Sequence, residues 1–180
     1  QACPVLETWQ TESGRAAIAS LEESLELLLQ LQALGESVVV TWPQGGALRI
    51  AASASASQLR LAIQSQRDWF SVTGELRVSD TQVLDMQKLL ELLRATSSRF
   101  LPLADGQFLA LTEGLRKRLD ELRAFADEKA EGLRFHPLAA LTLEDLVEEV
   151  GALDADRAWK EQRQRLRAAQ ELQPVIPSTF

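Results

Sequence analysis

The sequence predicts an α+β fold in which antiparallel hairpins pack with several helices. The strand-like runs follow one another in hairpins and do not alternate with helices, which argues against a doubly wound parallel sheet. Hydrophobic residues make up 46% and charged residues 25% of the 180 residues, and these values are typical of a globular protein. A chain of this length is expected to form one domain, or two small domains that share a core.

The first predicted element is a helix over residues 15–34. Four apolar residues recur at helical spacing and form one stripe along it: Ile18, Leu21, Leu25 and Leu28. Gly35 follows, and glycine is the residue most often found just past the end of a helix. The helix is therefore expected to end at Leu34.

Strand-like runs rich in β-branched or apolar residues follow this helix. They cover residues 38–42, 47–52, 59–64, 69–73 and 76–78. Turns are expected at 43–46 and at Gly74. In the run 59–64, apolar residues alternate with polar or small ones, which is the period of a half-buried strand.

A helix and a hairpin are predicted next. Ser79 with Gln82 three residues later is a capping-box pattern that predicts the start of the helix. Its core stripe is Val83, Met86, Leu89, Leu90 and Leu93. The turn Asp105-Gly106 between two apolar runs predicts a hairpin, and Pro102 makes the first strand of that hairpin either an edge strand or a short one. A helix followed by a hairpin also occurs in winged-helix domains, so that arrangement is considered for the second part of the chain.

Three further helices are predicted after the hairpin. Thr112 is expected to cap the first, whose apolar face is Leu115, Leu119, Leu122 and Ala126. Thr142 with Asp145 predicts the cap of a short second helix. Asp154 is expected to open the last helix, which carries Trp159 and Leu166.

Composition and chain ends predict a cytoplasmic piece of a longer protein. Cys3 is the only cysteine and cannot form an internal disulfide, as expected in a reducing compartment. No apolar run approaches the roughly 20 residues that span a bilayer, and the start QACPVLETW lacks the pattern of a signal peptide. The chain begins at Gln1 without an initiator methionine, and its end, LQPVIPSTF, has two prolines and no helix cap.

The residues predict no catalytic centre and no cofactor site in this segment. His136 is the only histidine, and Pro137 beside it favours a turn or capping role over catalysis. One cysteine and one histidine cannot form a structural zinc site. The chain also lacks the G-x-x-x-x-G-K-[ST] phosphate loop, so we expect no ATP hydrolysis by this segment itself.

Two carboxylate pairs leave two interpretations open. Glu144 with Glu148, and Asp145 with Glu149, lie four residues apart, so each pair shares one helix face. Carboxylates arranged in this way bind hard cations in some proteins. A solvated helix face is the more common structure behind the same pattern, and we favour it.

Basic residues on two predicted helices are the candidate nucleic-acid contacts, because phosphates are bound by long cationic side chains that face one way. The six candidates are Arg116, Lys117, Arg123, Lys160, Arg163 and Arg167. The alternative is a solvated helix with internal ion pairs, such as Glu113 to Lys117 and Arg116 to Asp120. The net charge of −7 argues against a nucleic-acid grip over the whole surface and leaves room only for a local basic patch.

The two tryptophans of the strand-like runs also have two interpretations. Trp42 and Trp69 could serve as platforms on which nucleic-acid bases stack. Both lie in strand-like apolar runs, which favours a place in the core instead.

The stretch from Asp68 to Leu119 carries the most informative pattern of the chain. It begins DWFSVTGELRV, continues through a leucine-rich helix and ends RFLPLADGQFLALTEGLRKRL. The tail adds a second group: Pro137, Leu138, Leu143, Leu146, Trp159, Leu166, Pro174 and Pro177. Together these residues resemble the helicase-associated region just upstream of the ATPase core in bacterial Swi/Snf-type helicases. The resemblance covers residues 68–180 and rests on packing and turn residues.

The resemblance implies three parts. Residues 1–67 would hold the N-terminal helix plus strands, 68–173 the helicase-associated α+β region, and 174–180 a linker toward an ATPase core that this chain does not contain. The chain would be a non-catalytic accessory or regulatory domain of an ATP-dependent DNA helicase or translocase. Its expected partners are the ATPase core of the same parent chain and duplex DNA, while ATP and magnesium would belong to that core alone. A stand-alone protein–protein interaction module is the alternative, because leucine-rich helices and an acidic surface fit it equally well.

Overall fold

The computed structural model describes residues 18–43, 47–125, 133–141 and 143–171. Its described residues form an α+β fold, as predicted. The helices are α1 Leu21–Ala33, α2 Met86–Ala95, α3 Glu113–Phe125, α4 Glu144–Glu149 and α5 Arg157–Glu171. The strands are β1 Arg49–Ala54, β2 Leu59–Gln66, β3 Trp69–Arg77, β4 Val83–Asp85, β5 Phe100–Pro102, β6 Gln107–Leu111, β7 Leu133–Phe135 and β8 Ala152–Ala155.

The larger sheet is built on the antiparallel pair β2 and β3. Its strand order is β4-β3-β2-β8, and β7 pairs with the other end of β3. The strand β8 runs parallel to β2, so the sheet is mixed. In β2 the side chains of Leu59, Leu61 and Ile63 are buried while their neighbours are more exposed, which confirms the predicted alternation.

The smaller sheet has the order β1-β6-β5, with β5 and β6 forming the predicted hairpin. Asp105 and Gly106 have φ angles of 57° and 68°, the left-handed conformation that this turn pair favours. Pro102 lies on an edge strand, as expected. The hairpin is enclosed: Phe100 and Ala110 pack against α1, whereas Leu101 and Leu109 join the main core. A winged-helix arrangement is not confirmed.

The main core lies between the larger sheet and the helices α2 to α5. The predicted stripes of α2 and α3 are buried in it, and their members are Met86, Leu89, Leu90, Leu93, Leu115, Leu119 and Leu122. In α1, Leu25 and Leu28 are buried in the smaller cluster. Strands from both sides of position 67/68 share the two sheets, because β1 pairs with β6 and β2 pairs with β3.

The predicted strand over 38–42 is wrong. These residues form no strand, and the side chain of Val39 is 84% exposed. The next strand-like run, predicted over 47–52, lies largely in β1, which pairs in parallel with β6 and not with residues 38–42. A β-branched composition favours a strand only where a partner edge is present.

The turn predicted at Gly74 is also wrong, because β3 continues through it. Gly74 pairs with Leu61 of β2, and a Cβ atom at this position would lie 2.6 Å from the Arg60 carbonyl oxygen. The glycine is therefore required by a close approach of two strands and not by a change of chain direction.

The predicted start of α2 lies too early in the chain. The Ser79 hydroxyl accepts a hydrogen bond from the Gln82 amide (3.1 Å), but this contact closes a turn before β4. Asp85 caps the helix instead, since its carboxylate accepts a hydrogen bond from the Lys88 amide (2.8 Å). Val83 lies in β4 and is 49% exposed, so it does not belong to the core stripe.

The strands β4, β7 and β8 were not predicted from the sequence. Asp154, expected to open the last helix, lies in β8, and Asp156 caps α5 in its place. Thr112 caps α3 as predicted, because its hydroxyl accepts a hydrogen bond from the Leu115 amide (3.3 Å). Four predicted features fall outside the described residues: the turn at 43–46, Ala126, Thr142 and the linker 174–180.

We predict that Gly74→Ala lowers the free energy of unfolding by about 2 kcal/mol, because the new methyl group would overlap the β2 backbone. Urea denaturation followed by circular dichroism measures the effect. Gly114→Ala is the matched control, since a Cβ atom at Gly114 meets no atom within 4 Å. Equal stability of Gly74→Ala and the wild-type chain would contradict the close approach of β2 and β3.

Candidate nucleic-acid interface

The helix α5 is fixed to the larger sheet by Asp156. Its carboxylate accepts hydrogen bonds from the Trp159 amide (2.8 Å) and from the Ser65 hydroxyl (2.9 Å), as well as from the Ser65 amide. Burial raises the pKa of the Asp156 carboxyl, but the hydrogen bonds from Trp159 and Ser65 outweigh it and hold the pKa below its ordinary value. The first turn of α5 is therefore tied to the end of β2.

Trp159 fixes the rotation of α5 about its axis. Its indole is fully buried and stands edge-to-face with Phe70, with the ring centroids 5.0 Å apart. Leu166, two turns further along, packs against the same core. With this stripe buried, the remaining faces of α5 are left to its charged and polar residues.

Five cations lie on α5 between Arg157 and Arg167, against one carboxylate, Glu161. Arg157 is 91% exposed and pairs with Glu161 (2.7 Å). Lys160 is exposed and Arg163 is half-buried, and neither forms an ion pair with a residue that the structure describes. These two side chains share one side of the helix with Arg167, as the i, i+3, i+7 spacing predicts.

The carboxylates of α4 bind two arginines of neighbouring helices. Arg167 of α5 contacts both Glu144 and Glu148, the latter at 2.9 Å. Arg118 of α3 contacts Asp145 (2.8 Å) and Glu149 (3.5 Å), in addition to Glu121 of its own helix. The i, i+4 pairs of α4 thus each hold an arginine.

These contacts stabilise the charged form of both guanidinium groups. The hydrogen bond to Glu144 raises the pKa of Arg167 above its ordinary value, and the hydrogen bond to Glu121 does the same for the pKa of Arg118.

Among the described residues, no group of three or more histidine, cysteine or acidic side chains is arranged to hold a metal ion.

The three candidates on α3 lie in different surroundings. Arg116 is largely buried, and its guanidinium binds Asp120 (2.8 Å) and the carbonyl oxygen of Thr96 (3.1 Å), so it braces the segment before β5. Lys117 is 73% exposed and lies 3.9 Å from Glu121. Arg123 lies 3.9 Å from Asp120. The predicted ion pair from Arg116 to Asp120 is confirmed, whereas Lys117 pairs with Glu121 and not with Glu113.

Neither tryptophan of the strand-like runs fills the core, contrary to the favoured interpretation. Trp42 is 41% exposed. Trp69 is half-buried, out of phase with Phe70 in β3, and the Arg134 guanidinium lies 4.5 Å from its ring centroid. His136 is exposed, and its Nδ1 accepts a hydrogen bond from the Leu138 amide (3.2 Å), which confirms the expected capping role.

A groove on the larger sheet was missed by sequence reasoning. It has a volume of about 650 Å³ and lies between β4 and β8, across β2 and β3. Its lining includes Ala62, Thr73, Glu75, Val83, Leu153 and Asp154. Val83 is 49% and Leu153 is 37% exposed. We call this surface the outer face of the larger sheet. The side chains at the alternate positions of its strands, such as Phe70, point into the core on the other face.

Comparisons of the chain with models of known families, with curated proteins and with solved structures found no match. Within the described parts of the chain, no helix combines the length and the apolar character needed to cross a membrane.

We predict that Asp156→Ala lowers the free energy of unfolding by about 1–2 kcal/mol at pH 7, because the cap of α5 and the tie to β2 are lost. Thermal unfolding of the variant and of the wild-type chain measures the loss. Asp154→Ala is the matched control, as Asp154 lies exposed two residues earlier. Asp154→Ala should leave the stability within about 0.5 kcal/mol of wild type.

The loss from Asp156→Ala should also depend on pH. The lowered pKa means that the carboxylate stabilises the fold above the pKa of an unfolded aspartate, about 3.9, and that this stabilisation disappears as the pH falls through the lower, folded-state pKa. The stability difference between wild type and Asp156→Ala should therefore shrink in acid. A difference that stays constant from pH 7 to pH 2 would contradict the charged cap.

Proposed function

We propose that the chain is a non-catalytic accessory domain of a Swi/Snf-type, ATP-dependent DNA helicase or translocase, and that it contacts duplex DNA through α5. The family part of the proposal rests on the pattern that begins at Asp68. The DNA part rests on one observation: Lys160 and Arg163 form no ion pair with a described residue, and they lie on a helix whose rotation is fixed by Trp159.

The residues of the Swi/Snf-like pattern support a scaffold role. Phe70 and Val72 lie in β3 and are buried, and Leu89, Leu90 and Leu93 form the buried stripe of α2. The Asp105-Gly106 pair forms the hairpin turn. These residues serve packing and chain reversal, which is what an accessory domain held beside a catalytic core requires.

Electrostatics support α5 as the contact surface. Most cations of α3 and α5 are matched by nearby carboxylates, so they add little positive potential. Lys160 and Arg163 are unmatched among the described residues, and the outer face of the larger sheet carries Asp85 and Asp154, besides Glu75, which is paired with Arg60 (3.5 Å). A DNA backbone is attracted to cations and repelled by carboxylates, so duplex DNA would approach the α5 side.

We predict that Lys160→Ala with Arg163→Ala weakens DNA binding by the parent protein about threefold to tenfold at low salt. Each lost phosphate contact should also reduce the slope of log affinity against log salt by about one. Fluorescence anisotropy with a labelled mixed-sequence duplex measures both quantities, and the DNA-stimulated ATPase rate of the parent protein measures the coupling.

The matched control is Arg49→Ala with Arg77→Ala, which removes from β1 and β3 two exposed cations that form no ion pair with a described residue. This control should leave the affinity, the salt slope and the DNA-stimulated rate at wild-type values. Equal losses in both variants would show a general charge effect, and no loss in either would remove α5 as the DNA contact.

A stand-alone protein–protein interaction module is a second candidate, favoured by the outer face. Val83 exposes apolar surface there beside a groove of about 650 Å³. Sequencing the parent gene beyond Phe180 separates the candidates. A phosphate loop encoded downstream would support the accessory domain, whereas a stop codon near Phe180 would favour the interaction module.

A further inference from the structure

We infer that Arg118 and Arg167 form a second phosphate-binding site for duplex DNA, and that the carboxylates of α4 mask it. This inference rests on the proposed function, since it concerns the same DNA and the same side of the molecule. Arg118 was not among the six candidate contacts predicted from the sequence, and the acidic helix α4 was not expected to affect DNA binding.

The two arginines meet α4 from different helices. Arg167 comes from α5 and binds Glu144 and Glu148, while Arg118 comes from α3 and binds Asp145 and Glu149. Adjacent residues of α4 therefore serve different arginines, and the short helix presents negative charge on two neighbouring faces. A guanidinium group recognises carboxylate and phosphate oxygens with the same planar set of donors, so carboxylates can occupy the place of phosphates.

The masking contact with Glu148 is made by side chains that can exchange partners. The Arg167 side chain is 46% exposed and the Glu148 side chain is 60% exposed, whereas the Glu144 side chain is only 17% exposed. The helix α4 is held separately by Leu143, Leu146 and Val147, which are buried in the main core. Removing the carboxylate charges should therefore release the arginines while α4 stays in place.

The position of Arg167 beside the proposed DNA contacts indicates that the released site would bind the same DNA. Lys160 and Arg163 lie on the same side of α5, so a freed Arg167 would extend their row to three cations. Arg118 would add a fourth cation next to α4. In the wild-type protein, Arg167 should contribute little to DNA affinity, because Glu144 and Glu148 already neutralise it.

The test is a double-mutant cycle in the parent protein, with a labelled mixed-sequence duplex as the probe. We expect Glu144→Gln with Glu148→Gln to tighten DNA binding at least threefold and to steepen the salt slope by about one phosphate contact. Arg167→Ala should change wild-type affinity by less than twofold. In the Glu144→Gln, Glu148→Gln background the same Arg167→Ala change should abolish the gain.

A matched control separates masking from net charge. Glu23→Gln with Glu36→Gln also removes two negative charges, and neither residue forms an ion pair with a described residue. This control should tighten binding less than twofold. Circular dichroism and thermal unfolding verify that each variant is folded. If Glu144→Gln with Glu148→Gln does not fold, Asp145→Asn with Glu149→Gln tests the same inference through Arg118.

Two results would overturn the inference: a released variant that binds no more tightly than the control, or a gain that persists after Arg167→Ala. Either result would leave the proposed function intact if Lys160→Ala with Arg163→Ala still weakens DNA binding. The proposed DNA contact itself fails if Lys160→Ala with Arg163→Ala keeps wild-type affinity and salt dependence, or loses no more than its matched control, so the two failures are distinguishable.

Discussion

The register between β2 and β3 decides where the rest of the larger sheet is placed. Ile63 pairs with Val72, and this alignment puts the apolar residues of both strands on the core side. A slip of one residue would turn one strand's apolar set toward solvent. The free edges of the pair then accept β4 and β7 on β3 and β8 on β2. Because Asp156 follows β8 and caps α5, the same register also determines where the cations of α5 emerge.

Stability and binding are assigned to different groups on the α4 side of the molecule. Buried residues such as Leu146 and Trp159 hold α4 and α5 against the sheet. The arginine–carboxylate contacts above them are partly exposed, and exposed ion pairs contribute little to folding. Their main physical effect is on the electrostatic field, since each guanidinium beside carboxylates is hidden from a distant anion. The charges can therefore serve a ligand without supporting the fold.

The sequence predicted the elements whose signal is local and periodic. The stripe from Met86 to Leu93 and the Asp105-Gly106 turn specify a helix and a hairpin without distant partners. The short strands β4, β7 and β8 have three or four residues, too few for a period, and they exist only through pairing with β2 or β3. Gly74 was misread for the same reason, because the need for glycine comes from the neighbouring strand. The same contrast between local and tertiary signals holds for the candidate site. The cationic residues of α5 could be predicted from the sequence, but the pairing of Arg118 and Arg167 with the carboxylates of α4 depends on tertiary packing.

A domain that serves a DNA translocase must bind DNA without holding it in place. Many unmatched arginines on a fixed helix would bind every duplex tightly, whatever its sequence. Under the proposed function, the three cations of α5 that form no ion pair with a described residue, Lys160, Arg163 and Arg165, attract the DNA, while α4 keeps Arg167 and Arg118 neutralised. Under the proposed function, Asp85 and Asp154 on the outer face repel DNA from the opposite side of the sheet and so orient the approach. Under the proposed function, weak and oriented contact is the property that this charge arrangement supplies, and a net acidic chain with a local basic helix is the composition expected for it.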